Sequence, residues 1–433
     1  MYKVSVFGLG KLGFSMVVAF AKRGCRVIGY DVIDQPIQAI NDGYTPIQEA
    51  QCQELLTQYR DSISATNDPE EAIAQSDITF IIVPTPSLSD GSFSTEYVIE
   101  AIKRVGEALI TKSEPHYVVL TSTVMPGDTE KMRKILEKVS GKSCGDYLLY
   151  SPEFIKLGSV VRDFLNPDMI LIGEHTAAAG QYLENLYREI LENEPSYHRM
   201  NYWNAELTKI SLNHFLATKI TYTNVVSEIC EHMPGGNALQ VLGAIGRDCR
   251  IGEKLLRPGL AAGGPCLPRD QRAFSRAAWQ FGVEHTFSTA IDDINNYQKA
   301  PRIIAKIKQL LEASDGNSVA ILGLSYKENT PVIEESVPVA VAGELITEGY
   351  EVSVYDPLAM ANAGPELVGA HFTDSVEQCL IGASVCFIAT AWDEFKALKP
   401  EDFMSMAHPV VLDAWGVLTD TVGLDVYRIG INR

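Results

Sequence analysis

The sequence has no CxxC pair, no Cys/His cluster at metal-ligand spacing and no stretch of 18 apolar residues free of charge. The first two absences argue against a structural zinc and a disulfide framework. The third argues against a transmembrane helix. Eight cysteines scattered singly over 433 residues suit a reducing, cytoplasmic setting. No secretory leader is expected either, because Met1 to Gly10 already reads as a strand running into a glycine loop. Positive charge is scarce. Lys plus Arg number 36 against 55 Asp plus Glu, a net charge of −19, so neither nucleic acid nor an anionic membrane surface is an expected partner. A local basic pocket for a small anion stays compatible with that balance. What is present is ordinary for a globular chain, 46% hydrophobic and 21% charged. At roughly 150 residues per domain the length suggests about three domains.

The segment Lys3-Val-Ser-Val-Phe-Gly-Leu-Gly-Lys-Leu-Gly13 is an apolar strand followed by GxGxxG. An amphipathic helix is expected from Phe14 to Arg23. A second strand, Arg26–Tyr30, ends in Asp31, 18 residues after Gly13. Glycines at 8, 10 and 13 between a strand and a helix, with an acid closing the next strand, form a dinucleotide-binding pattern. The plainer alternative is a tight glycine turn in any α/β protein. In the nucleotide reading the pyrophosphate lies on the helix N-terminus. Asp31 would bond the adenosine ribose and repel a 2′-phosphate, which favours NAD over NADP. Further strands are expected at Ile78–Val83 and Tyr117–Thr121. Their loops, Val83-Pro-Thr-Pro86 and Ser122-Thr-Val-Met-Pro-Gly127, stand at strand carboxyl ends, where parallel sheets bind ligands. Leu148–Tyr150 then leads into Ser151-Pro-Glu-Phe154.

From about Asn204 the texture turns helical. Ala205 to Met233 reads as one long helix, with helical pattern to about Ile251. A Gly/Pro-rich loop, Arg257 to Pro268, follows, and helices resume to near Glu312. The third part repeats the first. Ser318-Val-Ala-Ile-Leu-Gly-Leu-Ser325 echoes Val4–Gly10, and Tyr350-Glu-Val-Ser-Val-Tyr-Asp-Pro357 echoes Cys25–Asp31. The second copy lacks the glycine triplet, so it should bind a nucleotide differently or not at all. Later strands are expected at Ser384–Ala389 and Pro409–Asp413. The fold class is therefore α/β, two Rossmann-like doubly wound domains joined by a long central helix and a helical segment. The divisions expected are 1–200, 201–300 and 301–433.

Two segments carry candidate chemistry. In Gly263-Gly-Pro-Cys-Leu-Pro-Arg-Asp270, Cys266 is either a nucleophile on an exposed turn or a small buried hydrophobe. In Ala205-Glu-Leu-Thr-Lys-Ile-Ser-Leu-Asn213, Lys209 and Asn213 project from one helix face. They either hold a developing oxyanion or are a solvated lysine with an incidental neighbour.

Taken in order, the GLGKLG loop with Asp31, Ser122–Gly127, Pro152-Glu-Phe154, Ala205-Glu-Leu-x-Lys-x-x-x-Asn213, Gly263-Gly-x-Cys-x-Pro-Arg-Asp270 and Gly323-Leu-x-Tyr-Lys327 resemble the UDP-glucose/GDP-mannose 6-dehydrogenase family. The resemblance spans essentially the whole chain. It implies an NAD-dependent, four-electron oxidation of a nucleotide sugar's 6-CH2OH to a carboxylate, with UDP-glucose the default substrate. It makes Cys266 the nucleophile that forms a thioester. Lys209 and Asn213 would hold oxyanions, Asp270 would orient Lys209 and water, and Glu153 and Thr123 would handle protons. Positions matching cofactor contacts are Gly8, Gly10, Lys11, Leu12, Gly13, Asp31, Thr85, Pro86, Thr123, Leu157, Cys266 and Arg269. Positions matching substrate contacts are Glu153, Phe154, Ile155, Lys209, Asn213, Arg250, Gly263 and Lys327, with no metal. Arg250 would reach a neighbouring subunit, implying a homodimer or larger homo-oligomer. The first division would hold NAD, the second would make the dimer and carry the catalytic Lys and Cys, and the third would bind the nucleotide sugar. Four positions depart from the family pattern. Leu157 replaces a Glu, Ala262 an aromatic, Glu334 an Arg, and Trp415 the Arg of a late Asp-Gly-Arg. Other readings are a UDP-N-acetylhexosamine or other NDP-hexose substrate, a two-electron β-hydroxyacid dehydrogenase, or an idle nucleotide-binding module.

Overall fold

The computed structural model describes residues 2–47, 49–314 and 316–432. The chain divides into two compact units, Met1–Ser211 and Leu212–Arg433. The division falls inside a 31-residue helix, Tyr202–His232.

In the first unit eight strands form one sheet: β1 (Lys3–Phe7), β2 (Arg26–Tyr30), β3 (Ile63–Thr66), β4 (Ile78–Ile81), β5 (Tyr117–Leu120), β6 (Leu148–Tyr150), β7 (Met169–Glu174) and β8 (Ser196–Met200). Their order is β3-β2-β1-β4-β5-β6-β7-β8. All neighbours pair in parallel except β6 with β7. The order reverses between β1 and β4, and such a switch point opens a crevice beyond the strand ends. The expected first helix is found, starting earlier, at Lys11–Lys22, and it is not amphipathic: Gly13 to Ala21 are buried without a break. The reason lies in its partners. It packs under the sheet and also beneath the helices Cys52–Gln58 and Val160–Leu165. Phe14, Val17 and Phe20 have no exposed surface, each worth roughly 1.5–3 kcal/mol of burial.

In the second unit β9 (Ser318–Leu322), β10 (Glu351–Tyr355), β11 (His371–Phe372), β12 (Val385–Ile388), β13 (Val410–Asp413) and β14 (Asp425–Arg428) form an all-parallel sheet in the order β11-β10-β9-β12-β13-β14. This repeats the first six strands of the other sheet. Lys3 stands beside Arg26 in β1–β2 and Ser318 beside Glu351 in β9–β10. The duplication expected from sequence is thus a duplication of topology and register. The expected helical stretch to Ile251 is interrupted. Pro234-Gly235-Gly236 ends the long helix, and a 9-residue helix, Ala238–Gly246, follows, capped by the Asn237 side chain. Helices Leu267–Gln280, Thr286–Lys299 and Pro301–Ser314 lead into β9. No helix among the described residues is long and apolar enough to cross a membrane.

Candidate active site

The three glycines of the first loop do different work. Gly8 has φ +102°, and a Cβ there would lie 2.2 Å from the Ile82 carbonyl oxygen. A Cβ on Gly13 would lie 1.9 Å from the Gly8 carbonyl oxygen, so helix and strand touch through it. Gly10 is exposed, and a Cβ there would meet nothing within 4 Å. Two glycines therefore serve the fold, and the third keeps space clear for something from outside. Gly10 is also the N-cap of the first helix and offers no side-chain cap, and no acid stands in the first turn, which holds Lys11 and Leu12. Uncapped N–H groups and a local cation suit a pyrophosphate. Asp31, half-buried beyond β2, accepts from the Leu9 N–H at 2.7 Å and the Ile33 N–H at 3.0 Å. These donors fix the carboxylate at the rim and leave it acceptor capacity for a ribose hydroxyl. The residues fit NAD.

At the carboxyl ends of the next strands, the Ser122 hydroxyl donates to the Val83 carbonyl at 2.7 Å and accepts from the Val83 N–H at 2.8 Å. It locks the loop carrying Thr85 and Pro86 to the one carrying Thr123. Thr85 is buried, Pro86 exposed and Thr123 in between. The segment Ser151–Lys156 has no regular structure; Glu153, Phe154 and Ile155 are partly exposed along it, and Leu157 in the turn just beyond it. Lys209, from the long helix, is 7% exposed. Its ammonium donates to the Glu153 carbonyl oxygen and lies 4.5 Å from the centre of the Phe154 ring. The solvated-lysine alternative does not survive this burial. Desolvation pushes the Glu153 carboxyl up to about 8, against the pull of the Lys209 charge.

In the second unit Cys266 is exposed and forms the N-cap of the helix Leu267–Gln280. That position excludes the buried-hydrophobe alternative, and a helix N-terminus favours the thiolate. One turn on, Asp270 is wholly buried. It accepts from the Asn213 amide at 2.6 Å and the Arg269 guanidinium at 3.0 Å. Burial works against the Arg269 charge, but Asp270 and the Cys266 thiolate outweigh it and hold the guanidinium above its usual range, with Glu334 adding to the effect. Beside the Asn213–Asp270 bond, His214 Nδ1 pairs with Gln271, making a second rung between the same two helices.

The loop leading to Cys266 is braced by residues that sequence reasoning missed. Asn295, 5% exposed, donates to the Ala262 carbonyl at 3.0 Å and accepts its N–H at 2.8 Å. Gly263 abuts the Glu335 carbonyl, and Gly264, at φ +81°, packs on the Tyr326 ring. The Gly323–Lys327 loop thus lies against the thiol loop, and Lys327 stands beside Tyr326. Glu335 has a left-handed φ of +52° and pairs with Arg272 and Lys299. Asn295 and Lys299 carried no sequence signal beyond their i,i+4 spacing. Arg250 lies on an exposed turn, held by Asp248 at 2.7 Å. At the Trp415 departure a cation is nonetheless brought in, because the Arg257 guanidinium donates to the Trp415 carbonyl at 2.6 Å.

The second Rossmann copy is closed to a dinucleotide. Gly323 copies Gly8, with φ +99° and an N–H bonded to Tyr355 as Gly8 is to Tyr30, both at 2.8 Å. The next long helix, however, begins only at Val337. Asp356, the counterpart of Asp31, is 1% exposed. It is saturated by the Leu324, Ser325, Leu358 and Ala359 N–H groups, the Ser325 hydroxyl and the Trp392 indole.

The family's NAD binding domain matches residues 2–191, its central domain 203–297 and its UDP binding domain 320–420. The chain belongs to the UDP-glucose/GDP-mannose dehydrogenase family. A UDP-glucose 6-dehydrogenase of Haloferax volcanii is 35% identical over 429 residues, 98% of this chain and 99% of that protein. A GDP-mannose 6-dehydrogenase of Pseudomonas aeruginosa is 35% identical over 361 residues, 82% and 81% of the two chains. The solved UDP-glucose dehydrogenase of Pyrobaculum islandicum matches with a TM-score of 0.89 and 32% identity, covering 100% of this chain and 98% of that one. As a member of this dehydrogenase family the chain is an NAD-dependent oxidoreductase of nucleotide sugars, which sets aside the β-hydroxyacid and idle-module alternatives.

Proposed function

We propose that this dehydrogenase oxidises the 6-CH2OH of a UDP-hexose, UDP-glucose by default, to the carboxylate in two successive two-electron steps, the second through a thioester on Cys266. The observation that carries this is an exposed thiol at a helix N-terminus, one turn from a buried Asp270 held by Asn213 and Arg269. The loop shaped by Gly8 and Gly13 and left open at Gly10, together with Asp31, holds NAD, which supplies the hydride acceptor when bound. In the first oxidation a water held by Glu153 takes the hydroxyl proton; the raised carboxyl can hold and release that proton near neutrality. The Cys266 thiolate then adds to the aldehyde carbon, and the oxyanion formed accepts from Lys209 and Asn213. Oxidation of that adduct leaves a thioester. Water, oriented by Asp270, attacks the thioester carbon, and the C–S bond breaks to release the carboxylate and restore the thiolate. Lys327, Gly263 and the Phe154–Ile155 backbone hold the nucleotide sugar.

The long helix supports a homodimer. Within the second unit its buried side is polar, with Asn213, Thr221, Asn224 and Ser227 all at most 7% exposed. Its outer side is apolar, with Phe215, Tyr222, Ile229 and Met233 exposed at spacings of a helical stripe. A second copy is the occupant for that stripe, and it would bring Arg250 to the partner's nucleotide. In this reading residues 201–300 form the assembly segment between the 1–200 and 301–433 divisions. Free cysteines and nucleotide substrates fit a cytoplasmic enzyme.

The test is NADH formation at limiting UDP-glucose, UDP-galactose, UDP-N-acetylglucosamine, UDP-N-acetylmannosamine and GDP-mannose, counted per sugar. Two NADH per UDP-glucose supports the proposal. One NADH removes the thioester step, and two from another sugar moves the substrate. Cys266→Ser should keep NAD and UDP binding and form no acid.

A further inference from the structure

Glu206 lies in the same helical motif as Lys209 and Asn213, and neither step of the proposed reaction uses it. It has no exposed surface. Its carboxylate oxygens accept the backbone N–H of Gly127 and of Thr129, each at 2.6 Å. Those two groups bracket the start of the helix Asp128–Ser140, which follows the Ser122–Gly127 loop. The loop is tied at other points too. The Met125 N–H donates to Asp128 at 3.0 Å, and Ser122 is locked to Val83. A Cβ on Gly127 would lie 2.5 Å from the Trp203 ring, and Gly127 has φ +100°. A buried carboxylate persists only where hydrogen bonds and a helix N-terminus compensate its desolvation. Here burial pushes Glu206 up to about 7, against the bonds from Thr129 and Gly127. The side chain is therefore held at some cost to the fold, which a simple packing role would not require. The first turns of the long helix thus hold two loops at the strand carboxyl ends: Glu206 holds the Thr123 loop, and Lys209 holds Glu153 by its carbonyl.

We propose that Glu206 is a positioning residue that fixes the Ser122–Gly127 loop, and with it Thr123, in the shape the nicotinamide half of the dinucleotide needs. The inference rests on the NAD reading of the first unit and is independent of the sugar and of the thioester. Glu206→Gln keeps the size of the side chain but sets an amide NH2 against one of the two N–H donors. NADH affinity, by nicotinamide fluorescence, should weaken about tenfold, while ADP-ribose, which lacks the nicotinamide, stays within about twofold of wild type. The KM for NAD should rise in step with the loss of NADH affinity. Gly127→Ala, which distorts the same loop from the other side, should give the same split and serves if the first variant does not fold. Equal weakening of both ligands with a falling Tm, or no change in either, overturns the proposal. Wild-type protein that binds neither ligand overturns the NAD reading along with it.

Discussion

At the residue scale the chemistry depends on groups held in unusual surroundings. Glu153 is the clearest case. Its folded pKa, about 8, lies above the ordinary 4.5. A carboxyl shifted upward contributes stability that is fully present below about pH 4.5 and is lost as pH rises through 8. Glu153→Gln removes that dependence. Chemical denaturation of the two proteins should therefore show the variant gaining on wild type by roughly 2–4 kcal/mol between pH 4.5 and 9. Parallel curves would mean that the carboxyl is not desolvated. The sequence made Gly8, Gly10, Gly13, Asp31, Lys209 and Cys266 legible because each sits in a local pattern with its own physical reason. It marks Ser122 and Arg257 only as members of loops and is silent on Asn295, because their roles come from partners 39, 158 and 33 residues away. Such bonds leave no periodicity or spacing to read.

At the scale of elements the strands are legible where a compact apolar run stands out from its flanks, as in β1, β2, β4, β5, β6, β9, β10, β12 and β13. The strands β3, β7, β8, β11 and β14 were missed. Ser196–Met200 is only partly buried along its length, so it lacks the apolar run that marks a central parallel strand. The first helix, expected to be amphipathic over Phe14 to Arg23, is instead buried without a break from Gly13 to Ala21. The thiol loop shows what an element needs beyond its own sequence. Asn295 serves both hydrogen-bonding groups of Ala262 from the helix Thr286–Lys299. Asn295→Ala leaves a buried N–H and a buried C=O without that partner, at a cost of about 1–3 kcal/mol each. Thermal unfolding should show a clear fall in Tm. Iodoacetamide labelling of Cys266, with exposed Cys249 as internal reference, should change rate as the loop loosens. An unchanged Cys266 to Cys249 ratio would separate the brace from the thiol.

At the scale of the whole molecule the proposed dimer rests on the second-unit part of the long helix, which buries Asn213, Thr221, Asn224 and Ser227 and exposes Phe215, Tyr222 and Ile229. Phe215 and Tyr222 are 62% and 49% exposed, and each aromatic brings roughly 150–250 Å² to an interface. Phe215→Glu combined with Tyr222→Glu should give a monomer in sedimentation at micromolar concentration. Turnover should fall, while NADH affinity, which belongs to the first unit, is kept. A variant that stays dimeric would place the interface elsewhere.

The sealing of Asp356 by its own loop and the Trp392 indole has a kinetic consequence. Among the described residues there is one dinucleotide cradle, yet the proposed reaction removes two hydrides from one sugar. The cradle must empty and refill in mid-turnover, while a reactive aldehyde waits. Retention of that half-oxidised sugar has to outlast cofactor exchange, so the enzyme's fidelity is a race between two departures. A thiol that captures the aldehyde covalently decides that race in favour of the acid.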